Sequence, residues 1–259
     1  MVNDDRLEPV VDAILAESCD LDAGRLPVVV TPNVDIVVSL DRDPASTEAD
    51  VFRRASFILP DGMPIVAASK VLGAPLRARL TGSGLFELLW PRLVAEQKSL
   101  TVVCSEDEIA IRLGDEHPTA SFVVPPIFDP TVASELDSVV DQIMAQIDFE
   151  TTEFVLLGLG HPKDAVLVDS LMQRQPKDPD YSPLYLGLGG SFAMYTGLKK
   201  RAPGLVQRLG LEWFYRFTQE PRRLFSRYFV HDMAFFAIVG RELLALRRRA
   251  QPSRRREQR

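Results

Sequence analysis

The 259 residues are 46% hydrophobic and 25% charged, an ordinary globular balance with enough apolar material for one large α/β domain or two halves sharing a sheet. Two cysteines, Cys19 and Cys104, lie far apart without a C-x-x-C partner, which excludes a disulfide framework or a cysteine-based zinc site and suits a reducing compartment. The net charge of −6 divides sharply: residues 1–198 hold 14 basic and 31 acidic side chains, a net −17, whereas residues 199–259 hold 16 and 5, a net +11. An acidic body thus carries an Arg-rich tail of the kind that meets a polyanion.

The first eight residues are acidic and precede no apolar run, so no signal peptide is expected. Periodicity then predicts a helix over Asp5–Ala16, a strand over Leu26–Thr31, a helix over Ala49–Ala55 and a strand over Phe57–Leu59. Helices follow over Pro64–Leu72 and Gly84–Glu96, then a strand over Leu100–Val103, a helix over Ile109–Leu113 and a strand over Ala120–Val124. A helix over Thr131–Gln146, a strand over Phe154–Gly158, a helix over Lys163–Arg174, a Pro- and Asp-bearing loop from Pro176 to Pro183 and a strand over Leu184–Leu188 complete the series. This alternation is that of a mostly parallel, Rossmann-like sheet flanked by helices. Beyond it, helical segments are expected over Leu205–Leu209, Glu212–Gln219, Arg222–Phe229 and Asp232–Arg249. We therefore read an α/β core over 1–198 and a basic helical appendage over 199–259.

No window reaches the roughly 18 uninterrupted apolar residues of a membrane-spanning helix. The appendage instead crowds Trp213, Phe214, Tyr215, Phe217, Phe225, Tyr228, Phe229, Phe235 and Phe236 among Arg216, Arg222, Arg223 and Arg227. Rings in a headgroup zone with guanidinium groups on lipid phosphate are what an interfacial helix needs; packing as a helical hairpin is the plainer alternative.

Two strands end in glycine: Gly158-Leu159-Gly160 and Gly187-Leu188-Gly189-Gly190. Glycine at the carboxyl end of a parallel strand lets backbone N–H groups approach a diphosphate, although neither run completes G-x-G-x-x-G and a tight strand-to-helix turn explains each. Asp-x-Asp occurs at Asp20/Asp22, Asp41/Asp43 and Asp178/Asp180, close to the frequency chance gives, and the histidines His117, His161 and His231 are dispersed, so no metal or other cofactor is expected. Thr31-Pro32-Asn33 closes the first strand as a binding loop or as an N-cap and turn. Pro60-Asp61-Gly62-Met63-Pro64 sets a carboxylate after the second strand, where it serves as a fixed base or as the N-cap of the helix near Pro64.

These blocks, taken in order with Arg79-Leu-Thr81-Gly82, Gly158-Leu-Gly160-His-Pro162-Lys163, Gly189-Gly190-Ser-Phe192 and Gly197, continue into the tail. There they run through Lys200-Arg201-Ala202-Pro203, Leu211-Glu212-Trp213-Phe-Tyr215-Arg216 and Gln219-Glu220-Pro221-Arg222-Arg223. Over nearly the whole chain the series resembles the WecG/TagA/CpsF glycosyltransferases, glycosyltransferase family 26. The resemblance implies a GT-E-like α/β fold and a metal-independent, inverting transferase. Its donor is a UDP-sugar, of N-acetylmannosamine or of glucose or glucuronic type, and its acceptor a polyprenyl-diphosphate-linked sugar. The setting it implies is the cytoplasmic, inner face of the plasma membrane, in cell-surface polysaccharide or teichoic acid synthesis, with self-association of the core. By the same resemblance Asp61 is the general base, with Thr31, Asn33 and Arg79 in the active site. Gly62, Thr81, Gly82, Gly158, Gly160, Pro162, Lys163, Gly189 and Gly190 line the substrate. Arg201, Arg216, Arg222 and Arg223 belong to an appendage that binds an anionic membrane and assists at the diphosphate, which accounts for the basic tail without nucleic acid.

The chain departs from the family pattern at Gly84, where Asp is usual, at Asp164 and Ala165, where Gln-Glu is usual, at Ala193, where Asp is usual, and at Cys104-Ser105, where a glycine-bearing turn is common. Rival readings are a weak paralogue that binds lipid-linked sugar or a partner enzyme at the membrane, and a Rossmann-type oxidoreductase using a glycine turn.

Overall fold

The computed structural model describes residues 7–16, 24–176, 182–199, 218 and 233–250. Six short runs of branched and aliphatic residues form β1 (Leu26–Val30), β2 (Ala55–Ile58), β3 (Leu100–Val103), β4 (Ser121–Val123), β5 (Phe154–Leu157) and β6 (Leu184–Gly187). All pair in parallel, in the order β2-β1-β6-β5-β3-β4. Strands covered on both faces read as unbroken apolar runs, and the four residues of β5, Phe-Val-Leu-Leu, are all buried between β6 and β3.

Alternation along each strand sorts the core into two layers. Val29, Val102, Phe154, Leu156, Leu184 and Leu186 face one side, with α1 (Glu8–Ala16), α5 (Gly82–Ala95), α6 (Asp107–Glu116) and the short α9 (Ser191–Tyr195) packed on them. Val28, Val30, Val103, Val155, Leu157 and Tyr185 face the other, covered by α3 (Thr47–Arg54), α7 (Ala133–Met144) and α8 (Lys163–Arg174). Helices on both faces of a parallel sheet make a doubly wound α/β fold.

The chain divides into two compact units: positions 1–31, 43–59 and 80–201, which hold the sheet and the helices just described, and positions 32–42, 60–79 and 202–259. In the second unit the described helices are α2 (Val34–Arg42), α4 (Met63–Val71) and α10 (Met233–Ala250). Asn33 Oδ1 accepts from the Ile36 N–H at 3.1 Å and so caps α2, and α10 packs on α2 with Arg241 ion-paired to Asp41.

Every strand expected from periodicity is present with ends moved by one or two residues, and β3 and α8 match to the residue. Two of the described helices were not anticipated. The α2 sequence Val-Asp-Ile-Val-Val is rich in β-branched residues, poor helix formers by themselves, and its cap and its packing on α10 make it helical. The five-residue α9 is too short to display a period. The final expected helix, Asp232–Arg249, appears as α10, whereas those over 205–209, 212–219 and 222–229, like residues 177–181 of the loop, lie outside the described residues apart from Thr218. Among the described residues no helix is long and apolar enough to cross a membrane.

Candidate functional site

In the first unit the neighbouring strands β1, β6 and β5 end side by side, and the chain leaves them through Thr31, Gly187-Leu-Gly-Gly190 and Gly158-Leu-Gly160. The carboxyl edge of such a sheet is where a doubly wound fold receives its ligand. Gly160 and Gly189 adopt φ of 93° and 51°, the left-handed region that favours glycine, and a Cβ on Gly189 would touch the Gly160 backbone at 3.6 Å. One side chain joins these two turns. Asp164 Oδ1 accepts from the N–H groups of Leu159 and Gly160, and Oδ2 from that of Gly189, each at 3.0 Å. Burial raises the Asp164 carboxyl to about 6 against the lowering effect of these three hydrogen bonds.

The other glycines have steric reasons. A Cβ on Gly158 would sit 2.2 Å from the buried Phe192 ring, and one on Gly82 would come within 3.2 Å of both Thr31 Oγ1 and Ser191 Oγ. Thr31, Gly82 and Ser191 therefore meet. Thr81 Oγ1 accepts from the Gly84 N–H at 3.0 Å and caps α5, and a Cβ at position 84 would crowd that oxygen at 2.8 Å, so the Gly84 departure suits the cap. Pro162 precedes α8, and Lys163 opens it with Nζ 4.5 Å above the Phe128 ring. Cys104, in place of the family's glycine-bearing turn, is buried and its thiol is pushed up to about 12.

In the second unit, Asp61 and Arg79 meet. Arg79 Nε and Nη2 both donate to Asp61 Oδ1 at 3.4 Å, and both side chains are largely but not wholly covered. The Asp61 N–H donates to the Pro32 carbonyl at 2.9 Å, pinning the Pro-Asp-Gly turn to the segment that starts α2. The N-cap position of α4 is held by Gly62, at φ 155°, and not by Asp61. A carboxylate held by a guanidinium and a pinned backbone is suited to receive a proton in a fixed direction. Asn33, expected in the active site, caps α2 with its carboxamide oxygen.

Arg201, Arg216, Arg222 and Arg223, with His231 and Cys19, lie outside the described residues. Among the described residues no three His, Cys, Asp or Glu side chains group as metal ligands, and Asp41 of one Asp-x-Asp match is paired with Arg241. Asp164 is the residue whose part was missed: it registered as a departure from Gln, and its link to a turn 25 positions away has no trace in local pattern.

Comparison with known proteins agrees with the motif series. Residues 6–249 match the model of the Glycosyl transferase WecG/TagA/CpsF family. The chain is 30% identical over 211 residues, 80% of its own length and 77% of the relative's, to an N-acetylglucosaminyldiphosphoundecaprenol N-acetyl-beta-D-mannosaminyltransferase of Bacillus spizizenii. Proteins of the same name match at 26% in Bacillus subtilis, over 84% of this chain and 80% of that one, and at 27% in Staphylococcus aureus, over 76% and 73%. By the match over residues 6–249 and the 30% identity over 80% of its length, the chain belongs to the WecG/TagA/CpsF family of glycosyltransferases.

Proposed function

We propose that this glycosyltransferase moves a sugar, of N-acetylmannosamine type or of glucose or glucuronic type, from a UDP-sugar to a polyprenyl-diphosphate-linked sugar, inverting the anomeric centre without a metal ion. The names of the relatives support the acceptor class and favour N-acetylmannosamine as the sugar. The observation that carries the reading is the Asp61–Arg79 pair in the pinned Pro-Asp-Gly turn. Arg79 orients the carboxylate, and Asp61 takes the proton of the acceptor hydroxyl as that oxygen bonds to the anomeric carbon. The bond from that carbon to the UDP oxygen breaks in the same displacement, and UDP leaves as an anion. General base action of this kind contributes about 10²- to 10⁴-fold.

The N–H groups of Leu159, Gly160 and Gly189 are already given to Asp164, which supports a supporting-wall role for the glycine turns and leaves the diphosphate charge to cations. Lys163 and, in the tail, Arg201, Arg216, Arg222 and Arg223 are the residues we assign to it. In this reading residues 199–259 form the appendage that holds an acidic core, 1–198, against the anionic inner face of the plasma membrane, and the core self-associates.

Incubation with UDP-sugars and a short-chain polyprenyl-diphosphate amino sugar tests the proposal. The expected result is UDP release that EDTA leaves unchanged. Release that EDTA abolishes would refute metal independence, and the lack of release with every donor would favour a binding paralogue. Truncation near Lys199 is expected to abolish flotation with phosphatidylglycerol vesicles.

A further inference from the structure

The stretch from Gly62 to Leu80 differs from the acidic body around it: it holds Lys70, Arg77 and Arg79 and no acidic residue. Within it Val66 is the buried residue of α4, and Met63, Ala67, Lys70 and Val71, spaced i, i+4, i+7 and i+8, form an exposed stripe beside it. The exposed apolar surface continues through Gly73-Ala74-Pro75-Leu76, with Arg77 beyond. Met63 is 49% exposed, Val71 60% and Leu76 37%.

This surface is built, not loose. Ser69 Oγ donates to the Val66 carbonyl at 2.7 Å and accepts from the Leu76 N–H at 3.0 Å, while the Ala74 N–H donates to the Ser69 carbonyl at 3.0 Å. The loop is thereby tied back to the helix. Nine residues of helix rise about 14 Å, too short to span a bilayer but suited to lying in its interface.

We propose that the exposed face of α4 and the loop 72–77 form a membrane contact carried by the core, seated among anionic lipid headgroups and adding to the contact made by the basic tail. Apolar side chains flanked by Lys70 and Arg77, with no carboxylate in the stretch, complement an anionic bilayer. A second copy fits less well, because a self-complementary contact would set the same cations against each other. The surface connects Asp61 to Arg79 along the chain, so its seating would bring that pair to the lipid surface where a lipid-linked acceptor resides. That consequence rests on the function proposed above; the membrane contact itself does not.

The test uses the full-length chain with Val71→Asp and Leu76→Asp together, floated with mixed phosphatidylglycerol and phosphatidylcholine vesicles. We expect partition to fall by about tenfold, with the unfolding midpoint and turnover of a short-chain, water-soluble acceptor retained. In a second variant, Leu76→Trp, the added emission shifts to the blue on the same vesicles. Unchanged partition with no shift would overturn the proposal. So would a parent dimer that the double substitution converts to monomer, since the face would then serve self-association. Failure of the parent to turn over any acceptor would count against the transferase reading, while the vesicle results would still judge this one.

Discussion

Arg79 places both Nε and Nη2 on a single oxygen of Asp61, Oδ1, at 3.4 Å. That geometry anchors one oxygen of the carboxylate, and the Asp61 N–H on the Pro32 carbonyl fixes the turn that bears it. Partly exposed ion pairs contribute little to stability, about 0–1 kcal/mol, so their removal is felt mainly in chemistry. Asp61→Asn is expected to lower kcat by about 10²- to 10⁴-fold with the unfolding midpoint nearly unchanged. Arg79→Ala should lower kcat less, and Arg79→Lys, which lacks the planar fork, should recover only part of the loss. Steady-state UDP release with a denaturation curve for each variant checks this, and an Asp61→Asn protein with parental kcat would remove the base from the mechanism.

Asp164 gives stability a pH dependence of a definite sign. Its folded-state carboxyl lies at about 6, above the ordinary 3.8, because burial outweighs its three hydrogen bonds. A carboxyl raised in this way contributes stability that is fully present below the ordinary value and is lost as pH rises through 6. Relative to Asp164→Asn, which does not titrate, the parent should therefore lose on the order of 1 kcal/mol between pH 5 and pH 7.5. Urea unfolding of both proteins at the two pH values measures the difference, and a difference of opposite sign would mean that hydrogen bonding governs this carboxyl. Because asparagine turns an N–H₂ toward either Gly189 or the Leu159 and Gly160 amides, the variant should also raise the donor KM.

The sheet was legible because parallel strands buried on both faces appear as apolar runs such as Val28-Val-Val30 and Phe154-Val-Leu-Leu157, and polarity changes abruptly where they end. The α2 helix was not, since its β-branched residues become helical through a cap and through packing on α10, which is held by Arg241, 200 positions from Asp41. At the site, the motif blocks holding Asp61 and Arg79 could be read, but their pairing across 18 positions could not. The N-cap position of α4 falls on Gly62 rather than on Asp61, a shift of one residue that no local pattern distinguishes. Asp164 shows the complementary limit: a change from the family's residue is visible in sequence, whereas the two turns it joins become neighbours only when β5 pairs with β6.

Thr81 separates a structural role from a binding one. Its Oγ1 caps α5 through the Gly84 N–H, so Thr81→Ala should destabilise the fold by about 0.5–2 kcal/mol, and Thr81→Ser, which keeps the oxygen, should restore most of it. If Thr81→Ala instead left stability intact and raised the KM for donor or acceptor, substrate contact would outweigh the cap.

Gly158 stands against Phe192 more closely than any side chain permits, with a Cβ 2.2 Å from one ring carbon and 2.4 Å from the next. The ring is fully buried and is tilted against Phe86 at 4.6 Å between centroids, so it has little freedom to retreat. Gly158→Ala should therefore cost about 1–3 kcal/mol by overpacking. Phe192→Leu alone should destabilise by leaving space beside Phe86, yet in the double variant the smaller side chain makes room for the new methyl group. The two losses should thus fall short of additive by about 0.5 kcal/mol or more. Were they simply additive in a double-mutant cycle, the glycine would be required by something other than the ring, and a ligand approaching the β5 turn would become the better explanation of why position 158 carries no side chain.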